Sequence, residues 1–143
     1  MELLLPILHY IAILVTGALL LGEFVLLRLE TTGPSLKLLA KLDLMYGVSA
    51  VVVVASGLAR VFFGDVVAAH WLGNSAFWVK MCLFVAVGLV SFVPTARILG
   101  WTKAFSASGA LPDGSARKKV QVFVHAELGL FFVIPILAVL MTA

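Results

Sequence analysis

The chain has 143 residues, of which 63% are hydrophobic and 12% are charged, and its mean hydropathy is +1.18. Soluble domains average about 45–50% apolar and about 25% charged residues, so this composition excludes an ordinary water-soluble domain and indicates a bilayer protein. The net charge of +3 does not indicate a nucleic-acid partner. Basic residues of membrane proteins collect in cytoplasmic loops during insertion, which explains the excess.

Four apolar runs are long enough to cross a bilayer, which takes about 20 residues. In chain order they cover roughly Leu3–Leu27, Leu44–Phe63, Phe77–Ile98 and Val120–Met141. The second loop, around His70 and Trp71, is apolar enough for a short interfacial helix. The third loop, Thr102–Ala116, has the composition of a flexible connector. The sequence therefore predicts an all-α protein in which residues 1–143 form one bundle of four transmembrane helices.

The basic residues are distributed unevenly over the three loops. Eight of them flank the first and third loops, and two, Arg60 and Lys80, flank the second. The eight are Arg28, Lys37, Lys41, Arg97, Lys103, Arg117, Lys118 and Lys119. Because basic loops stay in the cytoplasm, we expect a multi-pass protein of the bacterial inner membrane with both termini on the outer side.

Ionisable residues within the spans are the informative positions, because each costs at least about 2.5 kcal/mol at the centre of a bilayer helix. Counting residues from the end of each span, at a fixed rise per residue, places these side chains at two depths in the membrane, which we call the outer and inner layers. His9, Arg60 and Lys80 form the outer layer. His9 lies roughly 9 Å below the outer end of its span, and the long side chain of Lys80 reaches a similar depth. We expect these two to meet, with Arg60 at the rim.

The inner layer contains Glu23, Asp43, His125 and Glu127. His125 and Glu127 point about 200° apart on one helix, so at most one of them is expected to face the centre. Three interpretations remain open at this point: a structural polar network with Tyr46, a proton relay, or a metal site. Carboxylates and imidazole are ligands that suit Zn, Fe or Mn.

A haem within a helical bundle needs two axial ligands at matching depth on different helices. His9 and His125 do not meet this requirement, because they differ by roughly 12 Å along the membrane normal. His9 and Lys80 meet it, provided that the lysine amine is neutral when it binds. Arg60 would then hold a haem propionate through a bidentate pair.

Two short segments carry a resemblance to a known family. Leu8-His9-Tyr10-Ile11 and Phe77-Trp78-Val79-Lys80-Met81 resemble the membrane protoporphyrinogen oxidases of the HemJ type, which have four or five spans. Those proteins have a histidine near the start of the first helix and a lysine, preceded by an aromatic residue, at the start of a later helix. The resemblance implies a haem b held by His9 and Lys80. Thr16 stands where a tryptophan of that family is expected.

The chain as a whole is more similar to an uncharacterised family of bacterial predicted membrane proteins. The similarity is carried by Asp43-Leu44-Met45-Tyr46-Gly47, by the segment from Gly57 to Gly64, and by the Phe-Trp-Val-Lys stretch. It covers nearly the whole length and implies no activity.

The functional prediction is a membrane b-type haem protein in electron transfer or tetrapyrrole redox chemistry, with quinone or another membrane redox partner. One alternative is a small proton-coupled transporter or channel-like protein in which Glu23 titrates, and a homo-oligomer would then enclose the pathway. Another is a structural subunit of a larger membrane complex. The sequence assigns no substrate or reaction.

Overall fold

The computed structural model describes residues 3–64 and 66–140, which contain five helices and no strand. These are α1 Leu4–Arg28, α2 Gly33–Phe63, α3 Ala68–Leu72, α4 Ser75–Ser108 and α5 Gly114–Leu140. All except α3 are long and apolar enough to cross a membrane. The prediction of an all-α protein with four membrane spans is therefore confirmed. Met141, the predicted end of the last span, lies outside the described residues.

The four long helices form a bundle in which each helix packs against two others. α1 contacts α2 and α5, and α4 contacts α5 and α2. Within the described residues, the backbones of α1 and α4 do not come close to each other, and neither do those of α2 and α5. Consecutive long helices run antiparallel, as in other up-and-down bundles. α1 and α4 thus lie on one diagonal, and their side chains meet only across the bundle interior.

The main cluster of buried apolar side chains lies toward one end of the bundle. We name this the basic end, because α1 and α4 finish there and α2 and α5 begin there, next to most of the Lys and Arg residues. The buried apolar core comprises Leu20, Leu27, Leu39, Tyr46, Ile98, Val120, Val124, Leu128 and Phe131. Gly17 brings α1 close to α5, since a Cβ there would lie 2.8 Å from Cε1 of Phe131. Small residues allow such close approach between membrane helices.

Three helices extend beyond the apolar runs predicted as spans, since α5 begins at Gly114, ahead of Val120, and α2 and α4 extend further still. α2 already begins at Gly33, and α4 continues to Ser108. The predicted flexible connector Thr102–Ala116 is therefore largely helical, and only residues 109–113 lie between α4 and α5. Hydropathy marks where the chain enters hydrocarbon, whereas local capping decides where a helix ends.

The caps at the basic end account for the extensions of α2 and α4. Thr32 Oγ1 accepts a hydrogen bond from Ser35 N at 3.2 Å, and Ser35 Oγ accepts one from Thr32 N at 2.8 Å, which makes a reciprocal capping box. Gly109 ends α4 with a φ of 72°, a left-handed conformation that glycine adopts without strain. Gly33 lies against Phe105, and a Cβ there would come within 2.6 Å of its Cζ. The two extensions therefore pack together beyond the apolar spans.

The outward faces of the long helices are apolar around the whole bundle. Leu14, Phe92 and Val122 are 73%, 70% and 68% exposed, and each lies on a different helix. A water-soluble bundle would place polar residues at such positions. These faces are consistent with lipid contact, and the chain is a multi-pass membrane protein.

Candidate functional site

His9 on α1 is held against α2 by one ring nitrogen. Its Nδ1 lies 2.9 Å from Ser56 Oγ, and the Ser56 hydroxyl lies 2.6 Å from the carbonyl oxygen of Val52. If the serine donates its single proton to that carbonyl, His9 Nδ1–H donates to the serine oxygen. Because Nδ1 then carries the proton of a neutral imidazole, Nε2 keeps its lone pair and is the nitrogen available to a ligand.

Gly57 on α2 lies against the His9 ring. A Cβ on Gly57 would lie 3.0 Å from Cε1 of His9, so the imidazole rests on the α2 backbone at a position without a side chain. Neither Ser56 nor Gly57 was identified as a site residue from the sequence. A signal was available, because a small polar residue and a glycine stand together one turn before Arg60.

Arg60 and Lys80 lie close enough to His9 to act on it electrostatically, and they also act on each other. Each stacks on a neighbouring ring: the Arg60 guanidinium carbon is 5.4 Å from the Tyr10 ring centroid, and Lys80 Nζ is 5.6 Å from that of Phe77. The fold thus brings the three residues of the predicted outer layer together from α1, α2 and α4. We call them the cationic cluster; all three are partly buried.

Three carboxyl groups gather in the half of the bundle nearer the basic end. Glu23 on α1 and Glu127 on α5 are each 1% exposed, and Asp43 on α2 is 6% exposed. The charged neighbours that act on Glu23 are Asp43 and Glu127, and Tyr46 lies beside Glu127. We call Glu23, Asp43 and Glu127 the acidic cluster.

The members of the acidic cluster differ in how their oxygens are satisfied. Asp43 Oδ1 accepts a hydrogen bond of 2.9 Å from Thr95 Oγ1 on α4. Oε1 of Glu23 and Oε1 of Glu127 are buried and have no hydrogen-bond partner among residues 3–64 and 66–140. An unsatisfied buried polar atom costs about 1–3 kcal/mol, so these two carboxyls lower the stability of the fold. Such costs are typical of functional positions in membrane spans.

His125 does not join the acidic cluster. It is exposed on the outer face of α5, where its ring centroid lies 5.6 Å from that of Phe24, while Glu127 faces the interior. The expectation that only one of these two residues is central is therefore confirmed. Among residues 3–64 and 66–140, no three His, Cys, Asp or Glu side chains are grouped so that they could hold a metal ion. The metal interpretation of Glu23, Asp43, His125 and Glu127 is not supported.

A third polar contact lies between the two clusters. Thr16 Oγ1 is 2.7 Å from Ser49 Oγ, and both hydroxyls lie within hydrogen-bond distance of the Ala12 carbonyl. His9, Thr16 and Glu23 are spaced seven residues apart, or about 10.5 Å along α1, so they share one face of the helix. Polar residues therefore recur every two turns along the α1–α2 interface.

Comparison with known protein families gives a match over the whole chain. The family described as predicted membrane protein (DUF2214) matches residues 1–143. The chain belongs to the DUF2214 family. No curated protein and no solved structure matches it. The expected membership of an uncharacterised family of predicted membrane proteins is confirmed, while the likeness of this DUF2214 chain to HemJ-type oxidases stays a prediction.

Proposed function

We propose that this DUF2214 protein binds one b-type haem at the cationic cluster and serves electron transfer or tetrapyrrole redox chemistry. His9 Nε2 and Lys80 Nζ are the proposed axial ligands, and Arg60 the partner of a propionate. The observation that carries the proposal is the 2.9 Å contact between His9 Nδ1 and Ser56 Oγ, which engages one ring nitrogen and leaves Nε2 to bind the iron. Histidines that bind metals commonly have their second nitrogen committed in this way.

The positions of the helices support the proposed ligand pair. A haem takes its axial ligands from two opposite faces, and cofactor sites in bundles are built from helices that face each other. α1 and α4 lie on one diagonal, and His9 and Lys80 nonetheless interact across it. When bound, the haem would supply one-electron redox chemistry, while this chain would hold it and exclude water.

The charge of the cationic cluster supports an anionic ligand. Arg60 and Lys80 are partly buried near each other and near His9, and like charges in a poorly solvated site repel. Two haem propionates would offset that repulsion. The guanidinium of Arg60 would bind one of them through two parallel hydrogen bonds, while the Tyr10 ring supports its other face.

The absorption spectrum of the purified protein tests this proposal. We expect a Soret band that shifts on dithionite reduction. In Lys80→Ala the band is expected to move and the haem to be lost more readily on dilution, because one axial ligand is missing. Lys103→Ala, which removes an exposed lysine elsewhere on α4, is the matched control and should keep the wild-type spectrum. A folded wild-type protein that stays colourless when expressed with haem supplied would overturn the proposal.

A second candidate function, proton-coupled transport through Glu23, is favoured by one observation. Glu23 is buried beside two other carboxyls, and its Oε1 has no hydrogen-bond partner in the part of the chain that the structure describes, which is how intramembrane proton carriers are placed. In vesicles loaded with a pH-sensitive dye, we expect proton movement with the wild type and its loss in Glu23→Gln. Glu30→Gln, at an exposed position between α1 and α2, is the control. Equal dye responses with Glu23→Gln and wild type would exclude this function.

A further inference from the structure

A surface groove lies between α4 and α5 at the basic end, the opposite end of α4 from Lys80 of the cationic cluster. It has a volume of about 490 Å³. Arg97 and Lys119 contribute its charged lining, and Val93, Val122 and Phe123 are among its apolar residues. A second depression, which shares Lys119 and Val122, adjoins it along α5. The groove takes no part in the haem or proton proposals.

Polarity changes with depth in this groove. α4 runs toward the basic end and α5 runs away from it, so Val93 lies deeper than Arg97 and Phe123 lies deeper than Lys119. Each pair is four residues apart, which is about 6 Å along a helix. Arg97 and Lys119 therefore lie at the membrane boundary. The apolar side chains of Val93 and Phe123 lie deeper, at the level of the hydrocarbon. This is the order of groups in a phospholipid, with its phosphate above its acyl chains.

The charge of the groove is also complementary to an anion. The one carboxylate in its lining, Asp113, accepts a hydrogen bond of 2.7 Å from Ala116 N and thereby caps α5. Arg97 and Lys119 are both exposed. The first turn of α5, which includes Ser115 and Ala116, adds the positive end of a helix dipole to the same lining.

We infer that this groove binds an anionic phospholipid, with the phosphate between Arg97 and Lys119 and an acyl chain on Val93, Val122 and Phe123. Basic pockets between membrane helices bind anionic headgroups in this manner. The site would anchor the α4–α5 pair to lipid at the basic end. The inference is independent of the haem proposal, because no residue is shared between the two sites.

Native mass spectrometry of the full chain in detergent, titrated with phosphatidylglycerol, tests this inference. We expect the wild type to retain phosphatidylglycerol in preference to phosphatidylcholine with the same acyl chains. The double variant Arg97→Gln/Lys119→Gln should bind it about 25-fold more weakly, since each basic residue at an anionic lipid surface contributes roughly fivefold. An excess of inorganic phosphate should not displace the lipid, because phosphate lacks the acyl chains that contact the apolar lining.

Lys37→Gln/Lys41→Gln provides the matched control, since it removes two exposed charges from α2 at the same end of the bundle. It should retain phosphatidylglycerol as the wild type does, with both double variants showing wild-type helical content by circular dichroism. Equal loss in the two double variants would show a non-specific charge effect and overturn the inference. Displacement by inorganic phosphate would also overturn it, by revealing a plain anion site. Equal retention of phosphatidylglycerol and phosphatidylcholine by the wild type would also overturn the inference.

Discussion

Replacing His9 by alanine is expected to abolish the Soret band of the purified protein, because it removes the imidazole whose Nε2 is the proposed axial ligand. Ser56→Ala should have a smaller effect of the same kind. It leaves the ligand in place but removes the hydroxyl that is hydrogen-bonded to His9 Nδ1, and losing such a supporting bond typically lowers affinity by about 10- to 100-fold. The haem content per polypeptide, from a pyridine haemochrome assay, measures both effects.

The other two histidines of the chain provide matched controls. His70 is exposed on the short helix α3, and His125 is exposed on the outer face of α5. His70→Ala and His125→Ala are expected to keep the haem content of the wild type. If His9→Ala retains full haem content, or if His125→Ala loses it, the assignment of the axial ligand to His9 is wrong.

Replacing Glu23 by methionine is expected to stabilise the bundle. The substitution removes a buried oxygen without a hydrogen-bond partner and keeps a side chain of similar length. Because this oxygen has no hydrogen-bond partner among the described residues, we expect the free energy of unfolding to rise by about 1–3 kcal/mol. Denaturant titration in mixed micelles, followed by tryptophan fluorescence, measures the change. A residue retained at a cost to stability indicates a functional role.

Asp43→Leu is the comparison variant for this prediction, because it is not expected to stabilise the bundle. Asp43 is also buried in the acidic cluster, but it accepts a hydrogen bond from Thr95. Its removal leaves the Thr95 hydroxyl without that acceptor, so we expect unchanged or lower stability. A lower unfolding free energy for Glu23→Met than for wild type would contradict the interpretation that the Glu23 carboxyl is an unsatisfied group.

The depth of each ionisable residue could be predicted from the sequence, and its neighbours could not. Counting along the helices placed His9 and Lys80 in one layer and Glu23, Asp43, His125 and Glu127 in another, and the fold brings the members of each layer together except His125, which is exposed. The partners that complete these sites come from other helices. The pairing of His9 with Ser56 and of Asp43 with Thr95 depends on which faces of the helices meet.

Composition and helical rise were sufficient to determine an all-α membrane protein with four spans and two polar layers. A residue's position along a helix axis follows from its number alone, because each residue adds the same rise. The rotation of each helix depends on packing against its neighbours. Only the tertiary structure therefore decided that Glu127 faces the interior and His125 faces outward. It also decided that α2 and α4 extend beyond their apolar runs, because the contact of Gly33 with Phe105 joins residues distant in sequence.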